Sequence, residues 1–166
     1  MIPDVEAREA WIRLVEHQER ELDMQSFDQD AAIAFVQNCL ALAEQNYHKS
    51  IAASVVLEGT LVALVMMEGT NLYNQLSLTA KRNVSIRTAE SSMMTFLKVK
   101  YGMLAREPWM ADSENTMLCG GCIPIRIRGR ICGYAAVSNM THEEDHQMCA
   151  EALARLSGRD IATILK

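Results

Sequence analysis

Two apolar runs on either side of a short turn sequence constrain the fold of this chain more than any other feature. Residues 51–57 and 61–67 are rich in Val, Leu, Ala and Met, and Glu58-Gly59-Thr60 separates them. Apolar runs of this length around a short turn that contains glycine predict a β-hairpin. Because both runs are apolar almost throughout, we expect helices or another subunit to cover the sheet.

A second hairpin is predicted from residues 123–127 and 131–137, around Arg128-Gly129-Arg130. Ile and Arg alternate along the first of these strands, which indicates one dry and one wet face. Pro124 lacks the N–H that a ladder hydrogen bond needs, so it favours an edge strand or the first residue of a strand.

Helical periodicity accounts for most of the remaining chain. Apolar residues recur at three- and four-residue steps in residues 4–24, 27–46, 71–104 and 141–166, and the third stretch is expected to form two helices. Ser26 is the expected N-cap of the second helix. This order of elements predicts a single α+β domain over residues 1–166, with a central antiparallel sheet, flanking helices and a helical extension at residues 1–25.

The charge balance and the longest apolar runs exclude two classes of partner. The chain has 16 Lys and Arg against 21 Asp and Glu, which gives a net charge of −5. This charge is opposite in sign to the positive charge that is typical of a nucleic-acid-binding protein. No apolar run reaches the roughly 18–20 residues needed to cross a bilayer. Since the N-terminus is acidic and lacks a signal-peptide pattern, we expect a cytoplasmic protein without a membrane or nucleic-acid partner.

Cys119 and Cys122 form a C-x-x-C motif with two glycines between the sulfurs. This spacing is typical of half a structural zinc site or of a dithiol redox pair. The alternative is that Gly120 and Gly121 shape a bend before the strand and the cysteines only fill space. Disulfides are not expected, because five cysteines is an odd number and the cytoplasm keeps thiols reduced.

Residues 142–146 match the H-E-x-x-H pattern of zinc proteases. The alternative is a capping box, because Thr141 precedes the predicted helix and Glu144 follows three residues later. A mixed metal site would use Cys119 or Cys122 with His142 or His146, and it requires the fold to join the strand to the last helix.

A basic cluster on the third helical stretch is a candidate site for an anionic ligand. Lys81 and Arg82 supply charge, and the hydroxyls of Ser91 and Ser92 supply donors. The alternative is a solvated helix face without a ligand.

Taken together, several motifs resemble the GlcG/HbpS-type family, also called the haem-degrading domain family. The residues that carry the resemblance are Gly120-Gly121-Cys122-Ile123-Pro124-Ile125-Arg126-Ile127, Gly129, Gly133, Val137-Ser138, Asp145-His146 and Cys149-Ala150. The resemblance covers roughly residues 27–156. Lys81-Arg82-Asn83 and Ser91-Ser92-Met93 most resemble an uncharacterised bacterial and fungal subgroup, whose members commonly have His at the positions that Glu90 and Cys119 occupy here.

The resemblance implies a profilin-like fold, a symmetric homo-oligomer and a small-molecule ligand, for which haem, a corrinoid, a divalent metal or another anionic metabolite are the candidates. The implied pocket residues are Lys81, Arg82, Glu90, Ser91, Ser92, Cys119, Gly120 and Gly121. Two alternatives stay open. One is an enzyme with Cys119 as nucleophile and His146 or Glu90 as base. The other is an assembly or adaptor protein that has no functional pocket.

Overall fold

The computed structural model describes residues 5–165, and both predicted hairpins form within this range. The helices are α1 (Val5–Glu21), α2 (Gln29–Leu42), α3 (Leu72–Thr88), α4 (Ser92–Lys100) and α5 (His142–Leu156), and the strands are β1 (Ala52–Leu57), β2 (Thr60–Met66), β3 (Cys122–Ile127) and β4 (Arg130–Ser138). A π-helical turn at Ala43–Tyr47 continues α2, and a 3₁₀ turn lies at Pro108–Ala111. The α+β prediction is therefore confirmed.

The four strands form one antiparallel sheet in the order β2-β1-β4-β3. Glu58 and Gly59 both have positive φ, as do Arg128 and Gly129. Two successive residues with positive φ match the twist of a two-residue hairpin, which explains the glycine in each turn. As predicted, Pro124 lies on an edge strand, β3.

Helices cover both faces of the sheet. One face contacts α2 and α5 through a large apolar core that includes Phe35, Val55, Ile125 and Leu153. On the other face α3 packs against Ala52, Cys122 and Ala136 through Leu78. All residues of β1 are buried, as the apolar sequence predicts, whereas the edge strand β2 exposes Leu61 and Leu64.

The helix α1 is part of the packed structure. Ile12 and Val15 are buried against three residues of α4, Met93, Met94 and Leu97, together with Ile164 near the C-terminus. After α1, the backbone N–H of Met24 donates to Arg126 O at 3.0 Å, and its carbonyl accepts from Arg128 N at 3.0 Å. The predicted helical extension thus contributes to a core of its own.

Several predicted helix boundaries are wrong. The helix α1 ends at Glu21 rather than Met24, and α4 ends at Lys100 rather than near Leu104. The N-cap of α2 is Asp28 rather than Ser26, and its side chain accepts a hydrogen bond from Ala31 N at 2.9 Å. The last helix ends at Leu156 instead of reaching Lys166, because Gly158 adopts a positive φ of 63° shortly after it. Within residues 5–165, no helix combines the length and the apolar character that a membrane span requires.

Candidate functional site

A cavity of about 360 Å³ lies where α3, the end of β4 and the start of α5 meet. Its walls combine amide and hydroxyl side chains with methionines, one thiol, one imidazole and one pair of opposite charges. The lining residues are Asn71, Tyr73, Asn74, Ser77, Lys81, Met117, Cys119, Ser138, Asn139, Met140, His142 and Asp145. We call this cavity the α3–α5 pocket.

A buried ion pair forms one wall of the α3–α5 pocket. Lys81 Nζ donates to Asp145 Oδ2 at 2.7 Å and to Val137 O at 3.0 Å. The side chains of Lys81 and Asp145 are only 2% and 3% exposed. An ammonium carries three N–H groups, and these two bonds use two of them. The pair therefore keeps a charged donor at the wall of the cavity.

Gly121 makes room for the ammonium of Lys81. A Cβ at this position would lie 2.7 Å from Lys81 Nζ and 2.6 Å from Val137 O, and the residue has a φ of 127°. A Cβ at Gly120 would lie 2.4 Å from the backbone oxygen of His142. Both glycines are thus required by close approach as well as by the bend that the sequence predicts.

The first turns of two helices line the same pocket. Asn71 caps α3 and, with Asn74, forms a capping box. Thr141 caps α5, and its capping box with Glu144 confirms the interpretation made from the sequence. The N-terminal end of a helix carries partial positive charge, so both helices favour an anion in this cavity.

The pKa of Asp145 lies well above that of an ordinary aspartate. Burial raises it to about 6, although Lys81 and the bond from Met140 N to Oδ1 oppose the shift. This carboxyl group therefore begins to take up a proton near neutral pH while it stays within reach of Lys81.

Both ring nitrogens of His142 are engaged. Nδ1 accepts a hydrogen bond from Gly120 N at 3.3 Å, and Nε2 lies 3.0 Å from Glu143 Oε1. The ring also packs edge-on against Phe96 at 4.7 Å. Burial lowers the pKa of His142, so the imidazole is neutral at pH 7.

The residues expected to bind a ligand are divided between two regions. Lys81 and Cys119 line the α3–α5 pocket, and Gly120 and Gly121 lie against it. Arg82 is half-buried and does not line it. Ser92 Oγ accepts from Cys122 N at 3.1 Å, and Ser91 Oγ accepts from Met94 N at 3.1 Å as the N-cap of α4.

Glu90 lies at a different cavity, of about 490 Å³, between α1 and α4. Its carboxylate accepts from Lys98 Nζ at 2.5 Å and from Thr95 Oγ1 at 3.0 Å. Four carboxylates line this cavity against three cationic side chains, so it is less suited to an anion than the α3–α5 pocket. The lining carboxylates are Glu16, Glu19, Asp23 and Glu90, and the cations are Arg20, Lys98 and Arg126.

Among residues 5–165, the structure brings together no group of three or more His, Cys, Asp or Glu side chains that could hold a metal ion. Cys119 and Cys122 are both free thiols. Cys122 is buried beneath α3, and burial raises its pKa to about 12. The candidate ligands Cys119, Cys122, His142 and His146 therefore do not form one metal-binding group within this chain.

His146 belongs to a buried amide network that the sequence analysis did not find. Gln18 Nε2 donates to Gln147 Oε1 at 3.0 Å and to Ala162 O at 2.5 Å, so Gln18 Oε1 is the acceptor that faces His146 Nε2 at 2.9 Å. His146 therefore carries its proton on Nε2. Its Nδ1 is buried without a partner, and burial lowers the pKa of His146 to about 3.

Replacing Gln18 with leucine is expected to lower the free energy of unfolding by about 1–3 kcal/mol, because it leaves His146 Nε2 buried without a partner and removes one of the two donors to Ala162 O. Urea denaturation followed by circular dichroism measures the change. The exposed Gln25→Leu variant is the control and should stay within about 0.5 kcal/mol of wild type. Equal effects of the two substitutions would contradict the structural role of the amide network.

Comparisons with known proteins agree with this architecture. The family model described as "Haem degrading protein HbpS-like" matches residues 27–154. A UPF0303 protein of Azotobacter vinelandii is 33% identical over 139 residues, which is 82% of this chain and 83% of the relative. A UPF0303 protein of Rhizobium etli is 28% identical over 151 residues, covering 90% of this chain and 92% of the relative.

Three solved structures share the fold. The Ybr137w protein superposes with a TM-score of 0.76 at 22% identity, covering 88% of this chain and 87% of its own. HbpS gives 0.65 at 18% identity, covering 80% of this chain and 91% of its own. A complex described as PduOC:Heme gives 0.67 at 15% identity, covering 83% and 98%. Since the family model spans all four strands and most of the helical residues, this chain belongs to the HbpS-like family.

Proposed function

We propose that this protein binds a small anionic ligand in the α3–α5 pocket. The observation that carries the proposal is the ammonium of Lys81, which is held almost out of solvent at the wall of a cavity where two helix N-termini also converge. Burying an ion pair costs free energy that a well-packed apolar pair would not, so its position beside a cavity supports a binding role.

The size and charge of the α3–α5 pocket favour a compact anion over haem or a corrinoid. Its 360 Å³ lies near the lower end of the range of about 300–1,000 Å³ for small-molecule sites. Haem also brings two carboxylates and an iron that needs an axial ligand, whereas Lys81 is the one cation among the described lining residues. Since both nitrogens of His142 are engaged, this imidazole is not free to ligate haem iron, and one ammonium does not match two carboxylates.

The cysteine-enzyme alternative has weaker support. Burial raises the pKa of Cys119, so the thiol stays protonated at neutral pH, although Lys81 opposes the shift. Neither proposed base is suited to accept its proton: His146 Nδ1 makes no hydrogen bond to Cys119 and burial lowers the pKa of this imidazole to about 3, and Glu90 pairs with Lys98 at another cavity.

Alkylation of Cys119 by iodoacetamide at pH 7.5 is therefore expected to be at least about tenfold slower in the folded protein than in the urea-unfolded chain, because the folded thiol is only partly exposed and its pKa is raised. Peptide mass spectrometry resolves the rate at each cysteine. Cys132, which is partly exposed like Cys119 but does not line the α3–α5 pocket, provides the internal comparison. A rate at Cys119 faster than in the unfolded chain would favour the enzyme.

A ligand panel tests the proposed function. The purified protein is titrated with acetate, propionate, benzoate, inorganic phosphate and haem, with thermal unfolding, calorimetry and visible absorbance as readouts. We expect at least one small anion to raise the melting temperature, since a ligand of the folded state stabilises it. A Soret band with a shifted maximum and no response to the anions would favour haem instead.

We also propose that the protein is a homo-oligomer. Leu72 and Leu76 on α3 and Leu61 on β2 are each more than half exposed, and apolar surface of this kind is usually covered by a partner. Native mass spectrometry measures the subunit number, and a monomeric mass at micromolar concentration would contradict the homo-oligomer.

The adaptor alternative predicts that removing α1 abolishes partner binding while the core stays folded, but α1 is itself packed into the core.

A further inference from the structure

The charges of the α3–α5 pocket are balanced before any ligand binds. Among the described lining residues, the positive charge of Lys81 faces the negative charge of Asp145, and His142 is neutral. A monoanion that enters this cavity would leave one uncompensated negative charge beside the buried carboxylate of Asp145, which is unfavourable.

One group in the pocket can remove that excess charge by taking up a proton. Asp145 Oδ2 contacts Lys81 and its Oδ1 accepts from Met140 N, so protonation at Oδ2 frees Lys81 to turn toward a ligand. Burial already brings the pKa of Asp145 to about 6, and an anion beside it would raise this pKa further.

We propose, resting on the proposed function, that the ligand of the α3–α5 pocket is a monocarboxylate that binds together with one proton, which Asp145 accepts. In the bound state Lys81 donates to one carboxylate oxygen, and the protonated Asp145 donates its O–H to the other. The proton comes from solvent, no covalent bond changes in the ligand, and the net charge of the pocket stays at zero.

The composition of the pocket selects this class of ligand. A doubly charged ligand such as hydrogen phosphate would need a second cation, and Lys81 is the one cationic side chain among the described residues that line the cavity. The two donors match the two oxygens of one carboxylate. Methionine side chains, Met117 and Met140, supply an apolar wall for the rest of the molecule.

Other titratable groups around Asp145 do not replace it as the proton acceptor. On α5, Glu144 pairs with Lys49 at 2.7 Å, which lowers its pKa, and Glu143 faces His142. His142 is half-buried, and the nearby positive charges of Lys81 and Lys100 oppose its protonation. From the loop before β3, the Cys119 thiol is already protonated. From α3, the positive charge of Lys81 faces Asp145. From β4, the backbone carbonyl Val137 O accepts a hydrogen bond from Lys81.

Calorimetry on the wild-type protein tests the inference without any variant. Acetate, propionate and benzoate are titrated at pH 7.5 in Tris and in HEPES, whose ionisation enthalpies differ, and the tightest binder is repeated from pH 6 to pH 8.5. We expect an uptake approaching one proton and a Kd that rises up to about tenfold per pH unit above pH 7.

The variant Asp145→Asn identifies the proton acceptor, because asparagine resembles the neutral acid at all pH values. It should bind the same carboxylate with little pH dependence, without proton uptake, and more tightly than wild type at pH 8.5. Glu143→Gln, which removes a charge from the same helical turn, is the control and should keep the wild-type proton uptake.

Each result decides a separate point. Binding of a monocarboxylate with a constant Kd and no proton uptake would overturn this inference and leave the proposed function standing. Proton uptake that persists in Asp145→Asn would overturn the assignment to Asp145. If none of the three carboxylates binds at any pH, the inference is wrong, and the anion-binding function is wrong as well only if inorganic phosphate also fails to bind.

Discussion

Replacing Lys81 with methionine is expected to lower the free energy of unfolding by about 3–5 kcal/mol at pH 8, because it leaves the carboxylate of Asp145 buried without its cation. Urea denaturation measures the change. The double variant Lys81→Met/Asp145→Asn should recover most of the loss, since it removes both charges while keeping the volume of the pair nearly constant.

The stability lost in the single variant Lys81→Met should depend on pH. The pKa of Asp145 is raised in the folded state to about 6, so the folded protein holds its proton over a pH range in which the unfolded chain has released it. The contribution of Asp145 to stability is therefore most favourable at low pH and declines as the pH rises through about 6. Removing Lys81 takes away a charge that lowers the pKa of Asp145, so in Lys81→Met this carboxyl group is protonated at pH 5, and the deficit should be smaller at pH 5 than at pH 8.

A second ion pair of the same length provides the control. Lys49 Nζ lies 2.7 Å from Glu144 Oε1, but the lysine side chain is 45% exposed. Exposed pairs contribute roughly 0–1 kcal/mol, so Lys49→Met should have little effect. If Lys49→Met and Lys81→Met lower the free energy of unfolding equally, burial does not make the Lys81–Asp145 pair more important than an exposed pair, and the prediction is wrong.

Replacing Gly121 with alanine is expected to cost about 3 kcal/mol or more in stability. The new Cβ would lie 2.6 Å from Val137 O and 2.7 Å from Lys81 Nζ, and the residue would have to keep a φ of 127°. Overpacking costs roughly 1–3 kcal/mol, and alanine at a positive φ adds strain. Because the displaced group is the ammonium of Lys81, ligand binding should weaken as well.

The variant Gly129→Ala distinguishes between close approach and backbone strain as causes of this loss of stability. It also has a positive φ, of 79°, but nothing lies within 4 Å of the position its Cβ would take. Gly129→Ala should therefore show only the strain, about 1 kcal/mol, with no change in ligand binding. Equal losses for the two variants would mean that close approach to Lys81 has no part in the effect of Gly121→Ala.

Local sequence signals predicted most of the elements of the fold. Glycine-containing turns located both hairpins, and Thr141 with Glu144 marked the start of α5 correctly. The prediction failed where two local signals compete within a few residues. Ser26 and Asp28 are both good N-caps, and which one begins α2 depends on how the preceding chain packs against β3.

The candidate site could be predicted only in part, because its contacts join residues that are distant in the chain. Lys81 was identified, but its partner Asp145 is 64 residues further along and resembles an ordinary acidic residue of a first helical turn. Gln18 gives no signal at all, since its role depends on His146, which is 128 residues away. The resemblance to a known family supplied Gly120 and Gly121, for which close approach is the physical reason.

A crystal structure grown with the tightest-binding carboxylate of the panel shows whether the α3–α5 pocket binds the ligand through Lys81. We expect density for the ligand in this pocket, with one carboxylate oxygen within hydrogen-bond distance of Lys81 Nζ. A ligand bound instead in the cavity beside Glu19 and Glu90, or an unchanged contact between Lys81 and Asp145 with the ligand elsewhere, would contradict it.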